Sequence, residues 1–289
     1  MNSDGCIQSV PYLENSAEIT PAGIMIEPYG EHSFSELKKY YSQQIEKCPD
    51  APAFLLKNMT LMSDLRAGLL AYRKTGKNVY AVINVNEELL TANELPADAA
   101  LITLQSMGLS AFGIAAENDE ILIDGMCRLA AFAKIPIFAR LGKAYADTLA
   151  DSGITAEFYG DYCICRVPEE LRETAIMLAN ERQAFFLEPD TTEISDSIPC
   201  EANMDEILCE ASDEPFDILK IEINTPDDVI AFIQDAHMAT LPVMFSCEDD
   251  ISLMLALMLY QGRALIDSEC ELNEETIKKA AAKYGAVVY

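Results

Sequence analysis

The sequence predicts an α/β protein with a TIM-barrel-like (β/α) architecture. Short apolar, β-branched or aromatic runs alternate with longer segments of helical period, and half of the 289 residues are apolar, enough for a large core. The strands are expected at residues 54–59, 79–85, 111–116, 136–141, 162–167, 184–187, 218–223, 243–247, 264–266 and 286–289. Each intervening gap has room for about one helix, the spacing of βα units around a parallel sheet.

Helix signals fill several of those gaps. The segment 33–45 opens on Ser33 with an acidic residue close behind, a helix start. In the segment 62–74, Leu65, Leu69 and Leu70 share one face before Gly76 stops the helix. The segment 273–286 repeats the logic: Asn273 can cap, Glu274 and Glu275 sit at the positive end of the dipole, and Gly285 ends the turn.

The strongly acidic stretch between the strands at 184–187 and 218–223 carries prolines in a loop-like setting. It divides the chain into a region 1–187, an acidic linker 188–216 and a βα region 217–289. No internal repeat stands out beyond the βα alternation.

Charge and composition narrow the function. With 48 acidic and 20 basic residues the formal charge is −28, a field that repels phosphate backbones and anionic lipid heads, so no nucleic acid and no membrane is expected as partner. No apolar run approaches the ~20 residues that span a bilayer. The first residues lack the basic start and apolar core of a signal peptide, which predicts a cytoplasmic protein. Nine cysteines, an odd set scattered along the chain, predict buried thiols rather than a disulfide framework. Only Cys163 and Cys165 have suggestive spacing: alternate strand residues share a face, so two thiolates could reach one metal. Packing in an apolar strand is the plainer reading of the same pair. His237 reads as a helix-end residue.

Several motifs occur in order between about Glu18 and Glu170. Pro21 and Gly23 precede Glu27, Pro28 and Gly30; residues 58–74 then read as a strand end followed by its helix, and residues 95–116 as a helix followed by a strand. In this order the segment resembles the homocysteine-binding barrel of cobalamin-dependent methionine synthases and homocysteine S-methyltransferases, without that barrel's usual opening segment. The resemblance implies methyl transfer from a corrinoid or methyl-folate donor to homocysteine, whose thiol zinc holds as a thiolate at neutral pH. It also implies a corrinoid-protein or methionine-synthase partner.

Residue by residue, the chain departs from the family. Where the family has its first zinc cysteine this chain has Ala116, and its paired-cysteine motif looks like Cys163, Ile164, Cys165, Arg166, Val167, Pro168 and Glu169. Lys57 stands where a glutamate would meet the substrate ammonium, and Arg140 where a lysine would precede the next turn. Lys57, Asn58, Asn84 and Arg140 sit near the carboxyl ends of strands, where barrel sites are built, and are the pocket candidates.

Residues 241–289 resemble the start of the pterin-binding barrel of the same synthases, with Ser246, Cys247, Asp267 and Ser268 at the strand ends. A barrel without its opening strands has edges to cover. Closure by the strands after Ala184 is expected, with a homo-oligomer or another chain as the alternative. Two functions follow from the resemblance: a homocysteine S-methyltransferase, or a non-catalytic ligand-binding or partner-docking relative. A third is an unrelated barrel enzyme using carboxylates such as Glu157, Asp161 or Glu222.

Overall fold

A computed structural model describes residues 10, 12–159, 161–166, 176–188, 190–200 and 203–289. The protein is mixed α/β with parallel sheets, and the chain divides into two compact units. The first comprises residues 1–24 and 35–174, the second 25–34 and 175–289. The division falls earlier than the acidic stretch, so residues 176–187 belong to the second unit.

In the first unit the order is β1 (Ala17–Ile19), α1 (Phe34–Ile45), β2 (Ala53–Lys57), α2 (Met62–Tyr72), β3 (Asn78–Asn84), α3 (Ala97–Ser106), β4 (Ala111–Ala115), α4 (Asp119–Ala130), β5 (Ile137–Ala139), α5 (Ala146–Asp151), β6 (Thr155–Tyr159) and β7 (Tyr162–Arg166). One sheet collects all seven strands in the order β1-β2-β3-β4-β5-β7-β6. β1 to β5 are parallel, as consecutive βα units require, but β7 runs antiparallel to β5 and β6 antiparallel to β7. That reversal carries the start of β7 beside the end of β5.

Cross-strand register fixes which residues share a face. Glu18 pairs with Leu55, Leu55 with Tyr80, Lys57 with Val82, Val82 with Gly113, Gly113 with Phe138 and Phe138 with Ile164. Leu55, Tyr80, Phe138 and Ile164 accordingly form one apolar cluster with Leu13 on that face. The opposite face takes the helices, among them α2, on which Leu65 and Leu69 are fully buried.

The second unit opens with an antiparallel pair, β8 (Ile176–Ala179) and β9 (Ala184–Leu187). There follow β10 (Ile198–Pro199), α6 (Met204–Ser212), β11 (Leu219–Ile223), α7 (Pro226–Asp235), β12 (Val243–Cys247), α8 (Asp250–Leu259), β13 (Leu265–Ile266), α9 (Glu274–Tyr284) and β14 (Val287–Val288). β10 to β14 make a parallel sheet in chain order. Leu178 and Leu187 of the β8–β9 pair pack on Met244 and Leu265 of that sheet. Beneath the other face Phe232, Phe245 and Tyr260 meet, Phe245 lying edge-on to both partners at 5.5 Å.

Caps fall where the sequence places them. Asn273 accepts from the Thr276 amide at 2.8 Å, and Gly285 ends α9 in the left-handed conformation at φ 73°. The acidic stretch is more ordered than a linker: Ile194 bridges to Ile218, and β10 and α6 join the second unit. The expected closure of the first sheet by the later strands has no counterpart in the pairing, since the described strands β10 to β14 hydrogen-bond among themselves. No helix among the described residues is long and apolar enough to cross a membrane.

Candidate functional site

The carboxyl ends of β2, β3, β4 and β5 surround a cavity of about 230 Å3 in the first unit. All four pocket candidates line it. Lys57 and Asn58 come from the end of β2, Asn84 from β3 and Arg140 from just past β5, while Leu55, Val82 and Phe138, on one face of the sheet, form an apolar floor. This is where a parallel α/β sheet exposes the turns that precede its helices, the usual place for a ligand.

Each rim residue is held by a local cause. Asn58 sits at φ 59°, a left-handed conformation that asparagine tolerates better than a β-branched residue, and its Oδ1 accepts from Asn84 Nδ2 at 3.0 Å. Asn118 caps α4 by accepting from the Ile121 amide at 3.0 Å, which brings Glu117 and Asp119 to the rim. Lys57 Nζ pairs with Glu18 Oε1 at 2.6 Å.

Arg140 is different. Its guanidinium lies 5.3 Å from the centre of the Tyr162 ring, and its Nη2 donates to the Tyr162 hydroxyl at 3.5 Å, the outer limit of a hydrogen bond. Among the described residues no carboxylate stands within ion-pairing distance of it. The Tyr162 hydroxyl, with Asp161 and Glu18 at longer range, holds Arg140 above the ordinary guanidinium range, so its charge is permanent. The cavity therefore presents Arg140, braced by Tyr162, over an apolar floor, with Lys57, Glu117 and Asp119 also in its lining.

Cys163 and Cys165 lie elsewhere. Both are fully buried, their sulfurs 3.6 Å apart, on the face of β7 opposite Tyr162 and Ile164. The hydrogen bond with Cys163, reinforced by burial, pushes the Cys165 thiol well above its usual range. Two donors are half of what zinc needs, and no group of three or more His, Cys, Asp or Glu among the described residues is arranged to hold a metal. The pair does not fit a zinc that activates a thiol in this cavity, because it faces away. Val167, Pro168 and Glu169 lie outside the described residues.

The remaining candidates do not converge. Glu157 lies on β6 and Asp161 precedes β7, whereas Glu222 belongs to the second unit and accepts from Asn224 Nδ2 at 2.9 Å. The strand-end pair of that unit closes on itself: Asp267 Oδ2 accepts from Lys220 Nζ at 2.8 Å and from Ser246 Oγ at 2.9 Å. His237 sits in the 3-10 turn that follows α7.

Sequence reasoning missed Phe138, Tyr162 and Glu117. A signal for Phe138 existed in Gly113, its partner across the sheet: a Cβ at Gly113 would stand 2.4 Å from the Phe138 ring, so the glycine makes room for the floor. Tyr162 needed the reversal of β7, which no local pattern announced.

Fold and site thus define a mixed α/β protein with a cavity at the carboxyl ends of parallel strands. Compared with known proteins, the chain matches no family model and no curated protein.

Proposed function

We propose that the chain is a ligand-binding relative of the homocysteine-binding barrel, an open and incomplete (β/α) barrel whose first unit holds a small anionic molecule. One observation carries this reading: Lys57, Asn58, Asn84 and Arg140 surround a single cavity, and Arg140 brings to it a cation that no carboxylate among the described residues meets at ion-pairing distance. The cavity's volume lies below the roughly 300–1,000 Å3 of drug-sized sites, which points to a metabolite of few atoms.

Methyl transfer to homocysteine is the second reading, favoured by the collinear motifs between Glu18 and Glu170. It requires a donor, corrinoid or methyl-folate, brought by a partner such as a corrinoid protein or a methionine synthase, and a means of activating the thiol that the cavity lining does not supply. In a docking role the same cavity would serve a second copy or such a partner. Titration of the full chain with small carboxylates, followed by NMR, tests the first reading: saturable shifts lost in Arg140→Gln support it. Methyl transfer from methylcobalamin to homocysteine, with no carboxylate binding, would replace it by the second.

A further inference from the structure

The cavity holds a clue to its ligand in the residue that guards it. Glu18 lies on the edge strand β1, in register with Leu55, so its side chain is on the same face as the cavity floor. Its carboxylate reaches Lys57 Nζ at 2.6 Å, and its charge is felt by Arg140 from β5. Both partners of the pair stay partly exposed, Lys57 at 33% and Glu18 at 52% of the side chain. A carboxylate of the chain itself thus occupies Lys57, one of the two cations that line the cavity.

We infer that the ligand is a short apolar monocarboxylate whose head group displaces Glu18 from Lys57 and pairs with Arg140, while its chain lies on the face of the sheet that carries Leu55, Val82 and Phe138. The inference rests on the anion-binding reading above and adds the chemical class and the competing residue. The size follows from volume: about 230 Å3 lies below the roughly 300–1,000 Å3 of drug-sized sites, which favours a short ligand. The tail follows from the floor: the partly buried Val82 and Tyr162 line the cavity over the buried Leu55 and Phe138, an apolar surface that offers an alkyl chain packing and little hydrogen bonding. The head follows from Arg140, whose planar fork matches a carboxylate in two parallel hydrogen bonds. A phosphate would carry more charge into a chain of net charge −28 and leave the apolar floor unused.

Displacement sets the sign of the key variant. Glu18→Gln removes a competitor for Lys57 without removing a cation. A partly exposed ion pair is worth little, so the gain is expected to be about three- to fivefold in affinity. Each methylene laid on the floor should add about fourfold until the cavity is full.

Isothermal titration of the full chain with acetate, butyrate, hexanoate and inorganic phosphate decides the matter, with wild type, Glu18→Gln, Lys57→Gln and Arg140→Gln side by side and circular dichroism to confirm folding. The expected result is hexanoate over butyrate over acetate, tighter binding in Glu18→Gln, no such gain when Lys57→Gln is added, and weaker binding in Arg140→Gln. Unchanged or weaker hexanoate binding in Glu18→Gln, with Arg140→Gln still impaired, overturns the displacement and leaves the anion site standing. Phosphate binding better than hexanoate overturns the ligand class. If no anion binds the folded wild type, the anion-binding reading falls as well.

Discussion

Arg140 and Tyr162 meet across two strands that run in opposite directions, the guanidinium 5.3 Å from the ring centre, and Tyr162 turns its edge to Phe138 at 5.8 Å. Cation, ring and floor are therefore one assembly. The aromatic pair fixes where the charge stands, because Tyr162 is packed from below and touched by Arg140 from above.

Replacing Tyr162 by alanine should then cost both packing and binding. Loss of the half-buried ring and its edge-on contact is expected to destabilise the chain by about 2–3 kcal/mol, less than a fully buried aromatic would. Tyr162→Phe keeps the ring and loses only the 3.5 Å hydrogen bond, so it should stay within about 0.5 kcal/mol of wild type. Urea denaturation followed by circular dichroism separates the two variants, and carboxylate affinity should fall only in the first.

A methyl group at Gly113 has nowhere to go. The Cβ would come within 2.4 Å of the Phe138 ring, so Gly113→Ala forces the floor to shift at a cost of about 1–3 kcal/mol. Combining it with Phe138→Leu should recover part of that loss. Thermal melts of the two single variants and the double variant measure the coupling, and strict additivity would show that the two residues do not compete for space.

Asn58 tests backbone rather than side chain. At φ 59° a β-branched residue is strained, so Asn58→Val should lose about 1–2 kcal/mol, and Asn58→Gly should lose less than half of that. Both remove the hydrogen bond from Asn84, so the difference between them isolates the conformation. Equal losses in urea melts would assign the whole effect to the hydrogen bond.

Glu181, in the turn between β8 and β9, supplies a pH signature for the second unit. Burial pushes its carboxyl up from an ordinary 4.5 to about 7, while Arg182 and the Gln261 amide pull the other way. Between those two values the folded chain holds a proton that the unfolded chain releases, so stability falls as pH rises from 4.5 toward 7 and then levels off. Glu181→Gln should remove this slope and be the more stable protein at pH 8 by about 1–2 kcal/mol, a figure reduced for the group's partial exposure. Urea melts at pH 5 and pH 8 compare the two proteins; parallel curves at both pH values would rule the titration out.

The sequence was most legible where period and end signals agreed. All ten expected strands occur, because runs such as residues 54–57 and 243–247 are apolar enough to be buried on both faces. The four strands not foreseen are β1, β6, β8 and β10: β1 and β10 are three and two residues long at sheet edges, and β6 has no fully buried position. Strand direction was not legible, since antiparallel and parallel strands carry the same side chains. That is why Arg140, at a strand end, was found and Tyr162, at a strand start, was not. Cys163 and Cys165 do share a face as their spacing implies, but which face depends on the register of β7 against β5.

The segment 25–34 belongs to the second unit although both its flanks belong to the first. Its Tyr29 hydroxyl donates to the carbonyls of Ile233 and Gln234, at 3.0 and 3.2 Å, and so serves the end of α7 from 204 positions upstream in the case of Ile233. During synthesis on the ribosome this short piece emerges about 200 residues before the carbonyls it serves and must wait for them before its partners exist. No single cut of the gene yields both units whole, and a deletion series read as separating two modules would instead report the loss of this early strand of chain from its late home.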